Sequence, residues 1–185
     1  MAPLVYTTSK SKKDLSGIIE LQKNNLAVNL TTDEILSQGF VTVIHSLEDL
    51  QHMNAIEQHI ICKDDEIVVA YLLAMTPQSQ KDIPVLIPMF ELFKTVLHKG
   101  KAVSLYNYIV VGQVCVDKAY RGQGILDKCY EAYKKQFERK YDFAVTEIAT
   151  RNLRSIKAHQ RIGFTEVHQY TSPDNEEWSI VIWQW

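Results

Sequence analysis

At 185 residues, with 46% hydrophobic and 23% charged residues, the chain has ordinary globular composition and enough length for a single domain, 1–185, with a real core. Its 20 Lys and Arg against 22 Asp and Glu leave a net charge of −2, so no global positive field gathers nucleic acid or an anionic membrane. The three cysteines, Cys62, Cys115 and Cys129, are odd in number and stand in no zinc-like spacing, which points to buried thiols in a reducing compartment and to no metal.

The first residues lack a charged stretch followed by an apolar core, and the longest apolar run, Ile67 to Met75, falls far short of the roughly 18 residues that suggest a membrane span. A cytoplasmic protein is expected. Leu4 to Thr8 reads as a short strand and Ser11 to Leu26 as a helix. Thr31 to Glu34 resembles a capping box opening a second short helix that Gly39 ends. Phe40 to Ile44 reads as extended chain, Leu47 to Glu57 as a helix, and His59–Lys63 with Glu66–Met75 as a hairpin turning at Asp64-Asp65. Pro84 and Pro88 punctuate a mostly helical apolar insertion up to Leu97, either core packing or a substrate-side lid or subunit contact.

Ser104 to Val116 reads as a long strand leading into a tight turn, Arg121-Gly122-Gln123-Gly124, and then a helix to about Lys140. No Ser, Thr, Asn or Asp is placed to cap that helix, so its first N–H groups are left for an anion, and the glycines let a phosphate approach. Phe143 to Thr150 is the next strand, which implies a parallel βαβ unit. Arg151 to Ile162 is a helix stopped by Gly163; Val167–Tyr170 and Trp178–Trp185 are the last strands, joined across Ser172 to Asn175. The Trp-rich end is either an edge strand that pairs two subunits in a homodimer or core sheet.

Two motifs in this order resemble the GCN5-related N-acetyltransferase (GNAT) superfamily. Arg121-Gly-Gln-Gly124-Ile-Leu126 fits its Gln/Arg-x-x-Gly-x-Gly/Ala signature except at Leu126, and Asn152 to Phe164 is similar to its Asn-x-x-Ala-x-x-x-Tyr-x-x-x-Gly-Phe run, with His159 at the tyrosine. The match is clearest over 104–164. The resemblance implies a mixed α/β acyl-CoA N-acyltransferase fold, a central mixed sheet with splayed parallel strands flanked by helices. It also implies acetyl-CoA as co-substrate: backbone groups of Val114, Cys115 and Val116 on the pantetheine arm, Arg121, Gly122, Gln123, Gly124, Ile125, Leu126 and Asp127 at the pyrophosphate, and Asn152 touching the cofactor. The acceptor would be a primary amine on a small molecule or peptide.

Such a transfer needs a base and an acid. Glu147 projects from an apolar strand face in phase with Phe143 and Val145, where burial suits it to act as a base. His159 faces inward and is a candidate acid or a packed core histidine; Tyr106, Tyr108 and Tyr170 stand in reserve. Cys115 is a poor candidate nucleophile because direct transfer is the family's usual route. The Arg151, Arg154, Lys157 and Arg161 group reads as a solvated face with one member near the 3′-phosphate. A non-catalytic acyl-CoA-binding module is the main rival, and a nucleotide-binding enzyme a weaker one, since the full G-x-G-x-x-G pattern is absent.

Overall fold

The computed structural model of the chain describes residues 3–31, 34–35, 39–81, 83 and 86–185. After strand β1 (Val5–Thr8), Ser11 opens helix α1 (Lys12–Asn25), and Ser46 opens α2 (Leu47–Ile56) by the same reciprocal box: each serine hydroxyl accepts from the backbone of the aspartate three residues on, whose carboxylate accepts from the serine N–H. The Thr31–Glu34 box is present too, with Glu34 N–H donating to Thr31 Oγ1 at 3.3 Å, but most of the short helix expected after it lies outside the described residues. Strands β2 (Ile60–Asp64) and β3 (Ile67–Met75) form the expected hairpin, and Asp65 takes the positive φ of 50° that a glycine would usually supply.

The insertion differs from expectation. Its helix α3 spans only Ile87–Leu92, and a small unforeseen hairpin follows, β4 (Leu97–His98) and β5 (Lys101–Ala102), turning through Lys99 and Gly100, both at positive φ. The long strand β6 then starts at Tyr108 rather than Ser104, because Val103–Leu105 curl into a 3₁₀ turn, and runs to Val116. Helix α4 (Ile125–Phe137), strand β7 (Phe143–Ala149), helix α5 (Leu153–Ile162) and strands β8 (Thr165–Thr171) and β9 (Glu177–Gln184) complete the chain.

Seven strands make one sheet in the order β1-β2-β3-β6-β7-β9-β8, antiparallel except for the β6–β7 pair. The Trp-rich β9 is therefore interior and β8 is the edge, so the edge-strand alternative for Trp178–Trp185 does not hold. One face of the sheet is covered by α1, α2 and the insertion; the other is covered by α4, whose Ile125, Cys129, Tyr133 and Phe137 are buried against it.

Phe90, Phe93, Val96 and Val103 of the insertion are buried in the first core, and Phe93 stands edge-on to Tyr108 at 5.4 Å between ring centroids. No described residue of the insertion lines either cavity at the site below. It is core packing, which removes the lid alternative for those residues. Phe93→Ala is accordingly expected to cost about 3–5 kcal/mol of stability, read as a lowered urea midpoint at unchanged slope. A variant that keeps its midpoint would show that the ring is not packed as described.

Candidate active site

The site begins where β6 and β7 part. They pair at Tyr108↔Phe143, Ile109↔Ala144 and Val110↔Val145, and no further pairing is present among the described residues, although both strands continue. Against β3, Val111 and Val114 oppose Ala74 and Leu72, so Gly112 and Gln113 together face Leu73. This bulge turns β6 away from β7. The orphaned Val111 carbonyl is taken by Thr146 Oγ1 at 2.8 Å, and Gln113 Nε2 donates to Val43 O at 2.8 Å while its Oε1 accepts from Tyr71 OH at 2.5 Å.

The gap opens into a cleft of about 680 Å³. On one wall the end of β6 presents Val114, Cys115 and Val116; on the floor lies the turn into α4. Gly124, the N-cap, has φ +73° and Gly122 φ +75°, signs that bulkier residues adopt only with strain. A Cβ at either would meet nothing within 4 Å, and no side chain caps the helix. The first turn therefore has no side-chain cap and borders the cleft, as an anion site requires. The residues present fit a phosphate group.

Of the residues expected to hold a cofactor, all but Gln123 line this cleft. Gln123 turns away, its Nε2 donating to Ala119 O at 3.1 Å. Arg121 reaches sideways instead of standing free: Nε donates to Val116 O at 3.0 Å and Nη2 to Asn25 Oδ1 at 2.5 Å, tying the turn to β6 and α1. Asn152 caps α5 through Oδ1 from Ser155 N–H at 3.3 Å and donates Nδ2 to Phe40 O at 3.2 Å. Its Oδ1 would lie 2.9 Å from a Cβ at Gly39, so Gly39 serves a close approach at φ +72°. Gly39, Phe40, Val41 and Asn25, none of them expected at the site from sequence, also line it. The polar Gln113 in an otherwise apolar strand was the signal that could have marked this crossing segment.

A smaller cavity of about 70 Å³ shares Phe40, Val41, Val114, Asn152, Ser155 and His159 with the cleft and adds Glu147, Gln113, Thr146 and Trp178. Glu147 is partly buried in it, and desolvation pushes its carboxyl up to about 7, opposed by the hydrogen bond from Tyr170 OH to Oε2 at 2.6 Å. Its Oε1 accepts no hydrogen bond among the described residues. His159 is 2% exposed and its ring is engaged at both nitrogens: Nδ1 donates to Ser155 O at 2.8 Å and Nε2 accepts from Tyr130 OH at 2.6 Å. Burial pushes it down to about 4, so it is neutral at pH 7.

The remaining candidates fall away from the site or from its chemistry. Tyr106 OH donates to His98 O at 2.8 Å and Tyr108 packs in the core, and neither lines the cleft or the smaller cavity. Cys115 is buried and its thiol is pushed up to about 12, which leaves no thiolate to attack. Arg154, Lys157 and Arg161 do line the cleft, and Arg161 Nη2 grips both oxygens of Asp127 at 2.9 Å, bridging α5 to α4.

Sequence comparison decides what this architecture is. The family model for the acetyltransferase (GNAT) family matches residues 31–164. The chain belongs to that family. No curated protein matches it by sequence. Among solved structures it is similar to a chain of the NatC complex bound to Gag peptide and CoA, at 14% identity, a TM-score of 0.66, and coverage of 98% of both chains. It is also similar to the ribosomal-protein-S18-alanine N-acetyltransferase from Escherichia coli, at 14% identity and a TM-score of 0.63, covering 98% of this chain and 94% of that one. A third is yncA from Salmonella typhimurium with its cofactor acetyl-CoA, at 13% identity and a TM-score of 0.62, covering 99% and 94%. These likenesses show the mixed α/β GNAT fold, with its seven-stranded sheet flanked by helices.

The histidines give a test of the burial just described. His45, His59 and His159 all lie at about 4, below the ordinary 6.5, because burial disfavours their charged form. Between those values the unfolded chain binds protons that the folded chain refuses, so stability is full above about pH 6.5 and is lost as pH falls toward 4. Glu147, raised from 4.5 to about 7, acts with the opposite sign but is one group against three. The melting temperature is expected to fall steadily from pH 6.5 to 4.5; a flat profile would contradict the burial of these rings.

Proposed function

We propose that the protein transfers an acetyl group from acetyl-CoA to a primary amine of a small molecule or peptide by direct attack. The observation that carries this reading is the junction of the two cavities: the parted strands lead to an uncapped helix N-terminus at one end and to a raised carboxylate at the other. Two of the similar structures hold CoA or acetyl-CoA, and two bear names for peptide or protein acceptors, which supports the cofactor and the acceptor class together.

Bound in the cleft, acetyl-CoA would supply a thioester carbonyl as electrophile. Backbone groups of Val114, Cys115 and Val116, released from pairing with β7, would bond the pantetheine arm, and the amides from Gly122 to Asp127 would hold the pyrophosphate. Arg121 acts by fixing the turn to β6 and α1. Asn152 fixes Phe40 over the gap and shares the cofactor wall. Glu147 removes the amine proton at Oε1, directly or through one water, so that a neutral amine attacks.

His159 suits the acid role poorly, since its one proton is committed to Ser155 O and its other nitrogen already accepts a hydrogen bond. We assign it to holding the wall between the cavities. A thiolate whose thiol has an ordinary pKa, about 8.5 for cysteine, is a good enough leaving group to take its proton from solvent.

Thiol release from acetyl-CoA across a panel of amines and peptides with free N-termini tests this reading. Turnover is expected to rise with pH through about 7, because the base works deprotonated. Glu147→Gln should lower kcat by about 10²–10⁴-fold and flatten that limb, with the acetyl-CoA dissociation constant little changed. Saturable acetyl-CoA binding with no release from any amine would favour a non-catalytic binding module instead.

A further inference from the structure

We infer that Tyr170 is a positioning residue for Glu147: its hydroxyl fixes one carboxylate oxygen and leaves the other facing the acceptor. This rests on the base role proposed for Glu147. The supporting geometry is independent of that role. Tyr170 lines neither cavity, yet its hydroxyl lies 2.6 Å from Glu147 Oε2, across the intervening strand β9. It therefore meets the carboxylate from β8, outside both cavity linings. The carboxylate is held by one oxygen, and Oε1 accepts from no described residue.

The register of β8 shows how this contact arises. Glu166 pairs with Val181 and His168 with Ile180, so Val167 is an extra residue without a partner on β9. Strict alternation would send side chains three apart to opposite faces. Across this bulge, Val167 and Tyr170 pack against the same core, the one that also contains Phe143 and Val145 in phase with Glu147. Between the bulge and the β8–β9 turn the pairing is regular: Glu147 opposes Ile180 and Tyr170 opposes Trp178, two residues on, so both side chains lie on one face of the sheet.

Few other groups compete for control of this carboxylate. From α5, the cavity holds His159, which is neutral; from β6 it holds Gln113; from β9, Trp178; from the crossing segment, Phe40, Val41 and Thr42. Burial first, then the Glu147 carboxylate and last Asp174 of the β8–β9 turn raise the proton affinity of Tyr170, which keeps the phenol a donor. Tyr170 lowers the Glu147 carboxyl against the desolvation that raises it, so removing the hydroxyl leaves desolvation unopposed.

The experiment is a ¹³C NMR titration of Glu-labelled protein, the Glu147 signal being assigned by its loss in Glu147→Gln. The wild-type carboxyl is expected to titrate near 7, and in Tyr170→Phe, which keeps the ring and its packing, about one unit higher. Thiol release by the same variants is measured alongside. Tyr170→Phe should shift the pH–rate limb upward equally, leave about a fifth of the deprotonated fraction at pH 7, and keep acetyl-CoA affinity. In the Glu147→Gln background it should have no further effect on turnover. An unmoved Glu147 titration in Tyr170→Phe overturns the positioning role while the base role stands, provided Glu147→Gln still flattens the limb. A limb that survives Glu147→Gln overturns the base role itself.

Discussion

The site depends on one interruption in the sheet. Parallel strands β6 and β7 share a ladder through Val110 and Val145 and then separate, although a continuous sheet would satisfy more backbone groups. What makes the separation tolerable is visible residue by residue. The bulge at Gly112–Gln113 bends β6, Thr146 caps the Val111 carbonyl from the side, and the Arg121 guanidinium bonds the Val116 carbonyl at the far end. Gln113 and Asn152 then bind the crossing segment over the opening, at Val43 and Phe40. The bonds to Val111 and Val116 take up carbonyls that parting the strands would otherwise leave bare, and the bonds from Gln113 and Asn152 hold the crossing segment in place, so the cleft is a built feature of the sheet.

The two cavities owe their chemistry to different causes, an uncapped helix end in one and burial in the other. At the α4 end, no side chain caps the helix, and its first turn borders the cleft. The helix dipole contributes only about 0.3–1 kcal/mol per favourable charge, so several direct N–H bonds carry more weight there than the dipole. At the β7 end, burial raises the Glu147 carboxyl toward neutrality, whereas burial of His159 lowers the imidazole. The two neighbours are driven apart in role by one environment. The carboxyl is raised to about 7, and the imidazole stays neutral with both nitrogens occupied.

Much of this was legible in the sequence because it rests on local rules. The glycines at 122 and 124, the missing cap and the Asn152-to-Phe164 run marked the candidate anion site and the family, and strict alternation placed Glu147 on the apolar face of β7. What escaped depends on long-range geometry. Gly39 reads as a helix stop, yet its positive φ serves the approach to Asn152, a residue more than a hundred positions away. Asn25 and Phe40 reach the cleft only through tertiary contacts. The insertion's apolar residues carry no mark distinguishing core from lid, and the strand order that buries β9 has no local signature. Tyr170 reads as a reserve acid, but its contact with Glu147 across β9 needs the strand order and the register of the sheet.

The central claim, that the uncapped turn holds the cofactor's pyrophosphate, is tested most directly by hydrogen exchange at the amides from Gly122 to Asp127 with and without acetyl-CoA. Saturating acetyl-CoA is predicted to slow exchange at these amides and along Val114 to Val116, with the far side of the sheet at β1 and β2 unchanged. Saturable binding that leaves the 122–127 amides exchanging at their free rate would contradict the account.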